Sequence, residues 1–303
     1  MGLDLYFVEA FLRHQEDGED GVPFSGNPAA VVLLESELPE EKMQSIAAEL
    51  NQPMTAFIRP LDNSEGFEKA TQFSMRWFNS SMEISICGHA TLASTHTLLN
   101  IIKNPANAIT FKTKTAQLIG ERYANNRVTI TLPMYTPLPL SSSLSQSTRP
   151  ILLSLLGSSI TAQLEDTAEF AIGNNGMLIV CLQTEGKDIK ALEPDFQAMK
   201  EILLGLKQEG PVEPFGVLAT CAGEGEIDYF CRVFEPVGGH DEDPVTGSAN
   251  ALLVNFWANK LGKKRLRARQ LSQRTGDLEL EIVGDRVRIS GMAREFLRGK
   301  LNV

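Results

Sequence analysis

Cysteine is scarce in this chain of 303 residues: four occur, at positions 87, 181, 221 and 231, and no two are spaced C-x-x-C. That spacing marks structural zinc sites and thiol redox centres, so its absence argues against a bound metal. No apolar run reaches the roughly 18 residues that a membrane span needs, so no membrane role is expected. The first eleven residues contain Asp4 and Glu9 and no Lys or Arg. A secretion signal needs a basic start, so the reading is a cytoplasmic protein with reduced thiols. Positive charge is in deficit, with 28 Lys and Arg against 38 Asp and Glu and a net charge of −10. Such a balance repels nucleic acid and anionic lipid. The one basic cluster, Lys263, Lys264, Arg265, Arg267 and Arg269, has no interleaved aromatics on which bases could stack. It reads as a solvated face. No Gly-x-Gly-x-x-Gly follows a strand-like run and no Walker sequence is present, so no cofactor is implied.

What is present fits a soluble globular protein of two domains, 43% hydrophobic and 22% charged. The chain also repeats itself. Gly26-Asn27 opens GNPAAVVLL, and Gly173-Asn174 opens GNNGMLIVCL. Each is followed by a segment with helical apolar spacing. The first has Leu38, Met43, Ile46, Ala47 and Leu50, and the second Phe196, Met199, Ile202, Leu203 and Leu206. Arg76-Trp77-Phe78 then matches Arg232-Val233-Phe234. After each comes a polar turn and a glycine that opens a helix, at Gly88 and at Gly247.

Strand-like runs surround these helices: FSMRWF, RVTITLP, MLIVCL, IDYFCRVF, LELEIV and RVRIS. The turn signal ANNR predicts a hairpin from LIGERYA to RVTITLP. The order implies an α+β fold of two pseudo-symmetric domains, residues 1–132 and 133–303, each built on a mostly antiparallel sheet. The Pro- and Ser-rich stretch 133–150 reads as the linker between them.

Both glycine-led helix starts expose unpaired N–H groups and a partial positive charge, which suit a carboxylate or phosphate. Gly88 and Gly247 allow close approach of a small anionic substrate, and Ser248 and Thr246 can add hydroxyl donors. Asn27 and Asn174 are candidate substrate-binding amides, or else only turn residues. His89 lies in a first helical turn, where the positive helix end favours a neutral imidazole. Asp241, Glu242 and Asp243 crowd before Pro244, and one of them could act as a general base. Four adjacent residues from His240 cannot all face one ion, and no second ligand cluster is evident. The acidic stretch 14–23 reads as a solvated loop.

FSGNPAAV (24–31), MRWF (75–78), EISICGHATLA (83–93) and EDPVTGSA (242–249) resemble the motifs of the PhzF, or phenazine biosynthesis-like, family of the diaminopimelate-epimerase fold. The resemblance spans nearly the whole chain. It implies two domains, each a rolled, mostly antiparallel sheet around a central helix, with the site between them. It implies that residues 291–303 return to pack on the first half, and that the protein is a homodimer. It also implies a cofactor-independent isomerase in which His89, Asp243 and Ser248 assist a proton-shuttling glutamate. Here that glutamate's position in the N-x-S-E-T-x-F motif holds Met54, within Asn51-Gln52-Pro53-Met54-Thr55-Ala56-Phe57. The paired cysteines of diaminopimelate epimerase are also incomplete: Cys87 occupies the first position and Thr246 the second. A threonine hydroxyl does not cycle protons near neutral pH as a thiolate does.

Two functions therefore stay open. One is an isomerase that shifts a proton or epimerises a small carboxylate-bearing metabolite, with Asp243, Glu83 or Cys87 replacing the lost base. The other is a catalytically silent member that binds an anionic metabolite or a partner protein. That Met54 is a variant of an otherwise active protein also stays open.

Overall fold

Runs of β-branched and aromatic residues set out a strand-dominated chain, seen in a computed structural model that describes residues 2–14, 21–62, 65–140, 154–157, 164, 167–206 and 212–303. In chain order the elements are β1 (Leu3–Ala10), β2 (Asn27–Leu33), α1 (Glu40–Leu50), β3 (Thr55–Pro60), β4 (Gln72–Phe78), β5 (Glu83–Ile84), α2 (Gly88–His96), β6 (Ala108–Lys112), β7 (Gln117–Arg122), β8 (Val128–Pro133), β9 (Pro137–Pro139), β10 (Glu169–Gly173) and β11 (Met177–Cys181). They continue with α3 (Gly186–Lys190), α4 (Phe196–Leu206), β12 (Gly216–Ala222), β13 (Tyr229–Glu235), β14 (His240–Asp243), α5 (Gly247–Leu261), β15 (Arg265–Gln270), β16 (Gly276–Val283), β17 (Arg286–Gly291) and β18 (Ala293–Leu301). The chain packs as two units. Unit 1 is Met1–Pro133 with Gly276–Glu279 and Val283–Val303, and unit 2 is Met134–Thr275 with Leu280–Ile282.

In unit 1 the strands pair in the order β18–β1–β2–β3–β4–β6–β7–β8–β17. All pairs are antiparallel except β2–β3 and β4–β6. Every residue of α2 is buried, and the helix packs on β1, β2, β3, β7, β8 and β18. The sheet therefore rolls around it. On the outer face, α1 buries Met43, Ile46 and Ala47 in a cluster with Leu5, Val32, Phe57 and Phe78. Glu40 and Glu41 suit the first turn of α1, and Asn51 ends the helix in the left-handed conformation. The turn joining β7 to β8 carries Asn125 and Asn126 at φ 57° and 60°, the conformation a tight hairpin demands.

Unit 2 repeats the plan. Its order is β9–β10–β11–β12–β13–β15, with β11–β12 and β13–β15 parallel. A short strand, β14, pairs with β13 as β5 pairs with β4. The core beneath α4 joins Met199 and Leu203 to Leu178, Val180, Val217, Phe230 and Phe234. Step by step, β1 to β6 and β10 to β15 share one pairing sequence, and the repeat read from the motifs is a repeat of structure. Residues 137–139, within the stretch that reads as a linker, form β9 on the edge strand β10. Proline is tolerated there because an edge strand leaves one row of backbone groups unpaired. Residues 141–150 of that stretch, and residues 15–20 of the acidic loop, lie outside the described residues.

Three members of the basic cluster hold carboxylates: Lys263 with Asp228 at 2.5 Å, Arg265 with Glu281 at 2.8 Å and Arg267 with Glu226 at 2.5 Å. The terminal strand β18 pairs along β1 from Leu3–Leu301 to Ala10–Ala293. Among the described residues no helix is long and apolar enough to cross a membrane.

Candidate active site

In unit 1 the candidate group begins at Gly26. Its φ is +66°, and a Cβ there would lie 2.3 Å from the Ala10 carbonyl oxygen, so only glycine allows the chain to enter β2. The next residue, Asn27, is fully buried. Its Nδ2 lies 3.2 Å from Nδ1 of His89. An amide nitrogen only donates, so this contact suits Nδ1 as the acceptor of a neutral ring. The neutral ring matches its position in the first turn of α2. Cys87, the extended N-cap of that helix, places Sγ 3.5 Å from the same Nδ1. Thr91 Oγ1 donates to the Cys87 carbonyl at 2.5 Å, which fixes the turn that presents Gly88.

Met54 is 7% exposed. Its carbonyl accepts from the Ala30 N–H at 2.9 Å, locking the entry of β3 beside β2, and its thioether has no proton to give. Glu83 is not a free substitute. It accepts two bonds of 2.7 Å from Arg76, with Lys114 also against it. The Arg76 hydrogen bonds chiefly, opposed by partial burial and reinforced by Lys114, hold its carboxyl below the usual range. A carboxylate so stabilised is a poor proton acceptor. Glu49 is exposed on α1.

In unit 2 the residues around Asp243 form a connected network. Thr246 is the N-cap of α5, yet no side chain caps the helix. Its hydroxyl instead donates to Asp243 Oδ2 at 2.5 Å. Behind it, the Thr246 N–H donates to Gln270 Oε1 at 2.9 Å, and Gln270 Nε2 donates to the Asp243 carbonyl at 2.7 Å. Asn250 Nδ2 donates to the Thr246 carbonyl at 2.9 Å and its Oδ1 accepts from Tyr229 at 2.9 Å. The first-turn N–H groups at Gly247 and Ser248 have no acceptor within the helix. Ser248 is half-buried, and its hydroxyl makes no hydrogen bond among the described residues. Asn174 lies exposed in the β10–β11 turn. Its Oδ1 accepts from the Thr136 N–H at 3.0 Å, and its own N–H donates to the Thr136 carbonyl at 3.1 Å, so it fastens β9.

Sequence reasoning passed over Glu235 and Gln270. Glu235 ends β13 and is half-buried. Burial, and then the nearby Asp243 charge, push its carboxyl up to about 8. The available signal was strand alternation: Tyr229, Cys231, Val233 and Glu235 share one face, and Tyr229 identifies that face as the one toward α5. Among the described residues no three His, Cys, Asp or Glu side chains gather as a metal site.

The duplicated sheet-around-helix fold, with an uncapped glycine-led helix start in each unit, defines a protein of the diaminopimelate-epimerase-like class. A family model described as "Phenazine biosynthesis-like protein" (PhzC-PhzF) matches residues 21–299. A human phenazine biosynthesis-like domain-containing protein is 34% identical over 316 residues, covering 99% of each chain. A Pseudomonas aeruginosa protein named as an uncharacterized isomerase is 32% identical over 295 residues, covering 96% of this chain and 98% of its own. The crystal structure of a PhzF family protein from Enterococcus faecalis superposes with a TM-score of 0.78 at 30% identity, covering 100% of both chains. The chain belongs to the phenazine biosynthesis-like, or PhzC/PhzF, family, which includes proteins named as isomerases.

Proposed function

We propose that this protein is a cofactor-independent isomerase that moves a proton on a small carboxylate-bearing metabolite, without a glutamate at position 54. The observation that carries this reading is the bond from Thr246 to Asp243. An N-cap hydroxyl ordinarily closes its own helix. Here it is turned away to hold a carboxylate, and the start of α5 stays open to an anion. In this reading the N–H groups of Gly247 and Ser248, with the Ser248 hydroxyl, take the substrate carboxylate. Asp243 is the proton acceptor. The resemblance to the PhzF family gives His89 an assisting role in the reaction, and Asn27 Nδ2 lies 3.2 Å from its Nδ1.

The competing reading, a silent metabolite-binding member, draws on the buried Met54 thioether. Loss of a general acid–base group costs roughly 10²- to 10⁴-fold in rate. Incorporation of deuterium from heavy water into a dihydro-hydroxyanthranilate, and into a panel of small amino and hydroxy carboxylates, separates the two. Exchange by the unaltered protein, abolished in Asp243→Asn, supports the isomerase. Exchange by Met54→Glu alone supports the silent binder.

A further inference from the structure

The sheet of unit 1 has a gap beside Met75 and Arg76. On that edge of β4, pairing with β6 stops at Ser74–Lys112, and pairing with β5 begins only at Trp77–Ile84. Met75 and Arg76 therefore have ladder partners on β3, Ile58 and Phe57, and none on the other side among the described residues. Lys114 and Thr115, in the turn from β6 to β7, help to close a cavity of about 150 Å³ at this gap.

The wall is apolar in one part and rich in donors in another. Met75 and Trp77, two apart on β4, share a face, and Ile84 joins them in the lining. Trp77 is 1% exposed, and its Nε1 has no hydrogen-bond partner among the described residues. A buried donor left without an acceptor is costly and uncommon. Ser85 is exposed, and its hydroxyl makes no hydrogen bond among the described residues. Lys114 bonds Glu83 and reaches Glu40 at 3.3 Å, which leaves one of its three ammonium hydrogens. Acceptors are scarcer. Glu83, the one carboxylate in the lining, already takes two bonds of 2.7 Å from Arg76 and a third from Lys114. The Thr115 hydroxyl donates to the Ser85 carbonyl at 3.3 Å.

Volume and chemistry together select an occupant. In another protein an apolar cavity of about this volume holds a single benzene ring. We propose that the gap is a ligand site for a flat, one-ring molecule that presents a carbonyl or carboxylate oxygen. The ring lies against Met75, Trp77 and Ile84, and the oxygen accepts from the Trp77 N–H and from Lys114. A cationic ligand is disfavoured, because two cationic side chains already hold the carboxylate of the wall. The site goes beyond the isomerase reading and does not depend on it, since none of these residues serves that reaction.

The test uses benzoate and the full-length protein labelled with nitrogen-15. The chain has two tryptophans, Trp77 and Trp257, and so two indole N–H signals in a proton–nitrogen correlation spectrum. Trp257 Nε1 already donates to Thr220 Oγ1 at 3.0 Å and serves as the internal control. Trp77→Phe or Trp257→Phe, whichever folds, assigns the two signals. The expected result is a saturable downfield shift of the Trp77 signal, with a dissociation constant on the order of 1 mM for a ligand of this size, while the Trp257 signal stays in place. Benzylamine, with the same ring and no acceptor oxygen, is expected to leave both signals unmoved. Lys114→Ala is expected to weaken benzoate binding by about two- to fivefold, the worth of an exposed charge contact. A Trp77 signal unmoved by benzoate well above that concentration means that the gap holds only water, and it overturns the proposal. An equal shift with benzylamine overturns the role of the acceptor oxygen. Unchanged benzoate affinity in Lys114→Ala overturns the placement of that oxygen beside Lys114.

Discussion

Arg232 grips Glu242 with two bonds of 2.8 Å, from Nε and Nη2 to the two carboxylate oxygens. Arg76 grips Glu83 in the same manner at 2.7 Å. The register explains the likeness, since Glu242 stands opposite Phe234 and Glu83 opposite Phe78. Each clamp fixes the short strand from which the chain turns toward a glycine-led helix. Arg232 also donates from Nη1 to the carbonyls of Ile189, Lys190 and Leu192 at 3.3, 3.2 and 2.6 Å. Arg232→Met therefore leaves a carboxylate and three carbonyls without their donor, and is expected to destabilise the fold by about 3–5 kcal/mol. Urea denaturation measures it. Arg76→Met should cost less, because its side chain is more exposed, 24% against 10%. Equal losses would contradict that ranking.

Thr246→Val keeps the shape of the N-cap and removes the hydroxyl that holds Asp243. The expected result is a rate loss of roughly ten- to a hundredfold, from a charge-assisted bond of about 1.5–3 kcal/mol, with binding of an inert substrate-like carboxylate little changed. Steady-state proton exchange and calorimetric binding separate the two. A variant as fast as the parent would show that this bond is structural.

Asn27→Leu removes the donor to His89 Nδ1. Any resulting movement of the ring proton between nitrogens is detected directly by nitrogen NMR of labelled histidine, with the Cys87 thiol still 3.5 Å from Nδ1. Exchange is expected to fall by roughly tenfold or more, and stability by about 1–3 kcal/mol for the polar group left buried. A ring still protonated on Nε2 alone would mean that another contact sets the tautomer.

His96 gives the fold a pH dependence of its own. Burial lowers its pKa to about 4 from the usual 6.5. Between those values the unfolded chain binds a proton that the folded chain refuses, so stability falls as pH drops through that window, by about 3 kcal/mol in all. His96→Gln should flatten the stability curve between pH 6.5 and 4 by up to one proton. Urea midpoints at several pH values report the slope, and an unchanged slope would contradict the assignment.

The fold was legible where pattern and punctuation agreed. Met43, Ile46 and Ala47, and later Met199, Leu203 and Leu206, gave helix faces that are buried as spaced. Asn125-Asn126 announced its hairpin. The parallel pairs β2–β3 and β4–β6 were not legible, because periodicity shows that a strand has a buried face and not which neighbour it joins. Gly26-Asn27 and the turn before α5 were readable as candidate ligand positions. What Thr246 does with its hydroxyl was not, because capping its own helix and holding Asp243 are equally available to the same residue type. Glu235 was missed for a related reason. One charged residue at the end of a strand usually faces water, and only the fold brings it under the influence of the Asp243 charge. Glu83, attractive as a replacement base on spacing alone, is engaged by Arg76, a residue that the sequence shows only as part of a strand.

The account centres on a protein that moves a proton with methionine in the glutamate position. Its most direct test is deuterium incorporation into the dihydro-hydroxyanthranilate by the unaltered protein, beside Met54→Glu and Asp243→Asn. The account predicts exchange by the unaltered protein and its loss in Asp243→Asn. Exchange confined to Met54→Glu, with none in the unaltered protein, would contradict it.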